Sequence, residues 1–172
     1  RIDGCAVFVP GVIVGEECLV KVIKVGKSVS YGRCEEVLSP SAERINPDCS
    51  AFPACGGCVC RNMSYAEELR FKLNKVSDML KKIGNLDAVP EEIIPSDGVD
   101  GYRNKAIFQA GTDSEGKIYF GFYRRHSHQV IRSEGCKLVS PLSLRVCRLC
   151  EEFFNNCKIT AFDETSGKGV IR

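Results

Sequence analysis

Three closely spaced cysteines form the part of the sequence best suited to chemistry. Cys49, Cys55 and Cys58 follow the pattern C-x5-C-x2-C in a segment rich in Gly and Pro. Such a segment cannot continue as a regular helix or central strand, because proline lacks an N–H and ordering glycine costs much entropy. A loop that bends back can direct several sulfurs at one centre, and Gly56-Gly57 lets backbone N–H groups approach an anion. Thiolates are soft ligands that suit zinc, copper(I) or iron–sulfur clusters.

A site of this kind usually takes four protein ligands, so a fourth must come from elsewhere in the chain. Cys136 lies in the loop-like segment 133–138, after a predicted strand. It is a better candidate than Cys60, which leads directly into a predicted helix. The site would then hold two distant parts of the chain together.

The chain has 11 cysteines, and most of those outside the predicted site are suited to packing. In a reducing cytosol, many cysteines indicate metal ligands together with small buried hydrophobic side chains. Cys5, Cys18 and Cys34 are predicted to fill a core. The pair Cys147-x2-Cys150 could be half of a zinc site or a redox pair, but no second C-x2-C pair or nearby His completes it, so packing on a helix is favoured.

The segment 102–132 combines basic and aromatic residues. It contains six Arg or Lys residues against two acidic ones, interleaved with Tyr102, Tyr119, Phe122 and Tyr123. Basic side chains neutralise phosphates, and aromatic faces can stack on unpaired bases. An ordinary half-exposed sheet with its aromatics turned inward explains the same composition.

The elements that must position these residues predict an α+β fold in two parts. Residues 1–40 indicate a small OB-like β-barrel, and residues 41–172 indicate the cysteine loop, a helix and an antiparallel sheet with a second helix. Ser64 and Glu67 form a capping box at the start of the first helix, and Gly84 is the expected left-handed cap at its end. The second helix is predicted over 141–156. The remaining predicted strands are 102–111, 117–125, 128–132, 158–162 and 169–172.

Composition places the chain among globular proteins. Hydrophobic residues make up 44% and charged residues 27%, with a net charge of +2 that does not by itself indicate a nucleic-acid partner. No apolar run approaches the roughly 20 residues of a membrane span, and no signal peptide is present, so we expect a cytoplasmic monomer. Because the chain begins without Met and ends within a strand-like segment, we expect it to be a piece of a longer protein.

Taken together, the motifs resemble the RNA (uracil-5-)-methyltransferase family, and in particular its 23S ribosomal-RNA members. The segment 4–11 followed by Gly15-Glu16 resembles the family's TRAM module, an RNA-binding β-barrel. The cysteine loop followed by Ser64-Tyr65 resembles its iron–sulfur loop. The segments 102–105 and 121–125, leading to Cys136, resemble its central domain.

The resemblance implies a [4Fe–4S] cluster with a structural role on Cys49, Cys55, Cys58 and Cys136. It also implies ribosomal RNA as the partner, with phosphate contacts from Arg103, Lys105, Arg124, Arg125 and Arg132. The family's catalytic half follows the central domain and carries the S-adenosylmethionine loop and a nucleophilic Cys in a Pro-Pro-Arg loop. Neither pattern occurs here, so no catalytic residue is assigned and the fragment alone is expected to be inactive.

Four other interpretations remain. The chain could be a zinc- or iron–sulfur-stapled RNA-binding module without catalysis, or part of a transfer-RNA uracil-5-methyltransferase. A radical methylthiotransferase can also carry a TRAM module, but its C-x3-C-x2-C loop has a different first gap and three ligands. A redox or electron-transfer protein would need a partner-docking signature that the sequence does not provide.

Overall fold

A computed structural model describes residue 2 and residues 4–172, and it has an α+β fold. The elements form a three-stranded sheet, a long helix, a second three-stranded sheet and a second helix, in that order. The chain divides into two compact units. One takes in the residues up to Asn46 together with Cys60–Ile94, and the other comprises Pro47–Val59 and Pro95–Arg172. The first helix therefore groups with the first sheet, whereas the sequence placed it with the second.

The first sheet consists of β1 (Ala6–Phe8), β2 (Glu17–Lys24) and β3 (Val29–Ser39), in the order β1-β3-β2. β1 pairs with β3 in parallel, and β2 pairs with β3 antiparallel. The alternation predicted for β2 is present at its start, where Cys18 and Val20 are half-buried and Leu19 is exposed. The three cysteines predicted to fill this core, Cys5, Cys18 and Cys34, are each half-buried and carry free thiols.

A buried carboxylate organises the chain around this sheet. The Glu16 side chain is fully buried and accepts hydrogen bonds from the backbone N–H groups of Ile13 (2.9 Å) and Ser41 (3.2 Å). Arg44 donates to both of its oxygens. The Arg44 hydrogen bonds lower the pKa of Glu16 to about 2, against the raising effect of burial. Glu16 thus fixes the segment before β2 to the segment after β3.

The first helix, α1 (Tyr65–Lys82), begins as its capping box predicts, because the Ser64 hydroxyl accepts from the Glu67 N–H at 3.1 Å. Its end differs from the prediction. The residue in the left-handed conformation is Asn85, with φ 49°. Glycine suits position 84 for a different reason, because a Cβ there would lie 2.8 Å from the Leu80 carbonyl oxygen. Along the predicted apolar stripe Leu69, Leu73 and Leu80 are half-buried, and Val76 and Ile83 are exposed in this chain.

The second sheet is antiparallel, with the order β4 (Gln109–Thr112), β5 (Ile118–Tyr123) and β6 (Val130–Arg132). The predicted hairpin around Gly116 joins β4 to β5. The first half of the strand predicted over 102–111 does not enter the sheet. Its Arg103 N–H donates instead to the Leu138 carbonyl at 3.0 Å, and Arg103 bridges to Val139 in parallel. This pairing ties residues 101–103 to the segment that follows Cys136.

The second helix, α2 (Pro141–Asn156), has the predicted bounds and packs against β5. The Asn155 side-chain carbonyl accepts from the Ile118 N–H at 2.8 Å, and a Glu151 carboxylate oxygen accepts from the Phe120 N–H at 2.7 Å. Cys147 and Cys150 are half-buried, and burial raises the pKa of Cys147, as packing predicts. The opposite face is exposed and apolar, with Leu142, Val146, Leu149 and Phe153.

Residues 158–172 form bridges rather than the two predicted strands. Ala161 pairs with Ile171 and Asp163 with Lys168, each as an isolated bridge. Within the part of the chain that the structure describes, neither helix has the length and apolar character needed to cross a membrane.

Candidate nucleic-acid groove and cysteine loop

The cysteine loop is bound to the end of β5. Cys55 forms an antiparallel bridge with Arg124, the Gly56 N–H donates to the Tyr123 carbonyl at 2.8 Å, and the Arg125 N–H donates to the Ala54 carbonyl at 3.1 Å. A Cβ on Gly56 would lie 2.9 Å from the Tyr123 carbonyl oxygen, which is closer than a side chain tolerates. Glycine at this position therefore allows the loop to lie against the strand.

The segment after Cys136 reaches the same loop at Gly57. The Gly57 N–H donates to the Cys55 Sγ at 3.3 Å. A Cβ built on Gly57 would contact that sulfur at 3.4 Å and the Leu138 Cδ1 at 3.9 Å. Leu138 is two residues beyond Cys136, so the fold brings the loop and the segment that carries the predicted fourth ligand into the same region. An N–H directed at a sulfur is the kind of donor found around thiolate-bound clusters.

Each of the four predicted ligands, Cys49, Cys55, Cys58 and Cys136, has intermediate exposure, and within the described part of the chain none of them forms a disulfide. Among residue 2 and residues 4–172, no group of three or more His, Cys, Asp or Glu side chains is arranged to hold a metal ion. The donor set fits an iron–sulfur cluster in chemistry, with four soft thiolates and a backbone donor at one sulfur.

A groove of about 910 Å³ lies beside the loop, within the second unit. Its walls come from Gly56 and Gly57 of the loop, from residues 103–109 and from the turn after β5. Four of the five predicted phosphate contacts line it, namely Arg103, Lys105, Arg124 and Arg125. Residues separated by about 20 positions in sequence thus form one basic surface.

Two of these basic side chains also support the loop. Arg125 donates from Nη2 to the Cys58 carbonyl, and Arg103 donates from Nη2 to the Gly57 carbonyl at 3.4 Å. In the described part of the chain none of these four basic side chains takes part in an ion pair, and the side chains of Lys105 and Arg124 make no hydrogen bond either. Their charges are therefore not neutralised by neighbouring carboxylates.

Arg132, the fifth predicted contact, lies outside the groove. Its guanidinium pairs with Glu134 at 3.1 Å, Glu151 at 3.4 Å and Asp113 at 3.8 Å, and it lies 4.6 Å from the centroid of the Tyr119 ring. These contacts link β6 to α2 and to the β4–β5 hairpin. The structure thus gives Arg132 acidic partners that the local sequence pattern did not indicate.

Two histidines in the groove were missed by sequence reasoning. The turn between β5 and β6 reads Arg124-Arg125-His126-Ser127-His128, and both histidines line the groove. The Tyr123 and His128 rings are stacked, with centroids 5.1 Å apart and an interplanar angle of 22°. The presence of both of the chain's histidines in one basic turn was the available signal.

Comparisons with known proteins show which proteins this chain is similar to. No protein-family model matches the chain. A curated RNA methyltransferase of Clostridium tetani is 34% identical over 172 residues, which covers 100% of this chain and 37% of that protein. Another, from Caldanaerobacter subterraneus subsp. tengcongensis, is 38% identical over 172 residues, covering 100% of this chain and 38% of that protein. The chain is a homologue of RNA methyltransferases.

The homology covers the whole chain but only 37–38% of the length of these relatives. The fold is also similar to that of a solved structure, the Pyrococcus abyssi tRNA (uracil-54, C5)-methyltransferase in complex with S-adenosyl-L-homocysteine. The TM-score is 0.66 at 23% identity, with 95% of this chain and 36% of that chain covered. The predicted resemblance to RNA methyltransferases is confirmed, and the similarity in structure supports the fold.

Proposed function

We propose that this chain is the RNA-docking part of an S-adenosylmethionine-dependent RNA (uracil-5-)-methyltransferase that forms 5-methyluridine in 23S ribosomal RNA. The observation that carries the proposal is the groove in which Lys105 and Arg124 carry unpaired charge beside the cysteine loop. Homology to RNA methyltransferases, which extends over this whole chain and 37–38% of the length of those relatives, supports RNA as the ligand of that groove. The first unit is proposed to be a TRAM-like module that adds a second RNA contact.

The docking role follows from the demands of the reaction. A uracil enclosed in a helix must be extruded before its C5 can enter an enzyme pocket, at a cost of a few kcal/mol. Phosphate and stacking contacts outside the pocket can offset part of that cost. In the proposed enzyme the groove supplies such contacts through Arg103, Lys105, Arg124 and Arg125, while S-adenosylmethionine and the catalytic nucleophile belong to sequence beyond this chain. The chain alone transfers no methyl group, and the enzyme is a cytoplasmic monomer.

Cys49, Cys55, Cys58 and Cys136 are proposed to hold a [4Fe–4S] cluster. When bound, the cluster supplies a covalent link between the loop and the segment after β6. Arg103 and Arg125, which donate to carbonyls at positions 57 and 58, would then be fixed in the groove along with the loop. The proposed role of the four thiolates is thus to stabilise the RNA-docking surface.

A transfer-RNA substrate is a second candidate, favoured by the fold similarity to a tRNA (uracil-54, C5)-methyltransferase. One experiment separates the two. The full-length protein is incubated with labelled S-adenosylmethionine and with either 23S ribosomal RNA or a transfer-RNA transcript, and nucleosides are identified by mass spectrometry. Formation of 5-methyluridine in ribosomal RNA alone supports the proposal, whereas methylation of transfer RNA alone supports the second candidate. Absence of 5-methyluridine from both RNAs contradicts the proposed reaction.

A further inference from the structure

The turn that joins β5 to β6 presents an aromatic face beside the basic groove. The Arg124 N–H donates to the Gln129 carbonyl at 2.7 Å, and the Gln129 N–H donates to the Ser127 hydroxyl oxygen at 3.0 Å. His126 takes a left-handed conformation with φ 56°. These hydrogen bonds define the path of the turn backbone from which His128 projects.

His128 is held on one face and at one edge. Its ring stacks on Tyr123, and its Nδ1 lies 2.8 Å from a Glu164 carboxylate oxygen, where it donates a hydrogen bond. That hydrogen bond lowers the pKa of Glu164. The His128 side chain is nevertheless 74% exposed. Because Tyr123 covers one ring face and Glu164 engages an edge, the exposed area includes the opposite face of the imidazole.

We propose that this exposed face of His128, supported from behind by Tyr123, is the stacking platform for one unpaired base of the RNA. The inference rests on the proposed RNA-docking function of the groove and adds a base subsite to it. Planar rings stack on nucleobases without regard to sequence, and a platform whose orientation is already fixed loses little entropy on binding.

The surrounding charges indicate how the strand runs past this platform. His128 lines the basic groove, and it also lines a second cavity of about 460 Å³ whose charged lining residues are Asp163, Glu164 and Arg172, so that carboxylates outnumber the guanidinium there. Phosphates are attracted to the side that carries Lys105 and Arg124 and are repelled by the carboxylates on the other side. The sugar–phosphate backbone therefore follows the basic side, and the base at His128 points away from it. An acidic peptide would satisfy the cations but would leave the aromatic platform unused, so single-stranded RNA fits better.

The test is a double-mutant cycle between the protein and the RNA. The full-length protein and its His128→Ala, His128→Phe and Lys117→Ala variants are titrated with a single-stranded RNA of about 12 nucleotides, within the range of such sites. The titrations are repeated with RNAs carrying one abasic position, moved stepwise along the strand. His128→Phe keeps a stacking face but loses the Glu164 hydrogen bond. Lys117→Ala removes a basic side chain that lies outside the groove and pairs with Glu115 at 2.7 Å.

The expected result is that one abasic position weakens binding to the wild-type protein about fivefold or more, and has much less effect on His128→Ala. His128→Phe and Lys117→Ala should keep the wild-type response to that position. If His128→Ala responds to every abasic position as the wild type does, the platform is refuted, even where the RNA binds and is methylated. If the wild-type protein binds no RNA, the platform and the docking proposal both fail. Methylation without dependence on His128 overturns the platform only.

Discussion

Removing two of the four basic side chains of the groove, Lys105 and Arg124, should flatten the salt dependence of RNA binding. Lys105 and Arg124 both line the groove, and in the described residues neither has an ion-pair partner, so each can neutralise one phosphate. For a single strand, each such contact contributes about 0.7 to the slope of log K against log salt concentration. A Lys105→Ala/Arg124→Ala double variant should therefore lower the slope by about 1.4. Over a fourfold rise in salt, wild-type affinity should then fall about sevenfold more than that of the variant.

The assay is fluorescence anisotropy with single-stranded RNA at several salt concentrations. Lys117→Ala is the matched control. Lys117 lies beside β5 but outside the groove, and it pairs with Glu115 at 2.7 Å. Its removal should leave the slope unchanged. A double variant that is folded, as judged by circular dichroism, and that keeps the wild-type slope would refute the assignment of this groove to RNA. A control variant that changes the slope equally would show that only total charge matters.

Two further predictions concern the elements that hold the site and the first sheet. Because the native pKa of Glu16 is about 2, its contribution to stability is complete above the unfolded pKa of 4.5 and is lost as pH falls from 4.5 toward 2. That contribution is at most about 3 kcal/mol. Glu16→Gln should therefore remove the pH dependence of hydrogen-exchange protection at the Ile13 and Ser41 amides. Unchanged pH dependence in Glu16→Gln would contradict this. Gly56→Ala places a Cβ 2.9 Å from the Tyr123 carbonyl oxygen and should destabilise the second unit by about 1–3 kcal/mol in thermal denaturation. Gly135→Ala, whose Cβ would meet nothing within 4 Å, should be nearly neutral in the same measurement. Equal effects of the two substitutions would contradict the close approach of the loop to β5.

The helices were predictable because their signals are local. Ser64 and Glu67 mark the start of α1, and Ser140 followed by Pro141 marks the start of α2. The end of α1 was harder, because the choice between Gly84 and Asn85 as the left-handed residue depends on the distance of Gly84 from the Leu80 carbonyl. Such a distance is not visible in a residue pattern.

The sequence predicted the types of residue that line the groove, but not which individual residues line it. Arg124 and Arg125 adjoin a strand that local pattern identifies, whereas Arg132 has the same charge and a similar setting in the sequence. Its acidic partners are Glu134, two positions away, and two residues distant in sequence, Glu151 on α2 and Asp113 in the β4–β5 hairpin. Likewise the segment 102–108 has strand-like composition, but its Arg103 N–H binds a carbonyl 35 positions away rather than a neighbouring strand. Which of these residues line the groove, and which segment joins the sheet, therefore depends partly on hydrogen bonds and ion pairs between residues distant in sequence.

The central claim is that Cys49, Cys55, Cys58 and Cys136 hold a cluster that stabilises the groove, and the metal content of the protein tests the presence of that cluster most directly. The protein is purified without oxygen, together with Cys136→Ser and the neighbouring control Cys60→Ser, and iron, acid-labile sulfide and zinc are measured. The account predicts about four iron and four sulfide per chain in the wild type and in Cys60→Ser, with loss of both in Cys136→Ser. Stoichiometric zinc without sulfide, or a cluster that survives in Cys136→Ser and is lost in Cys60→Ser, would contradict it.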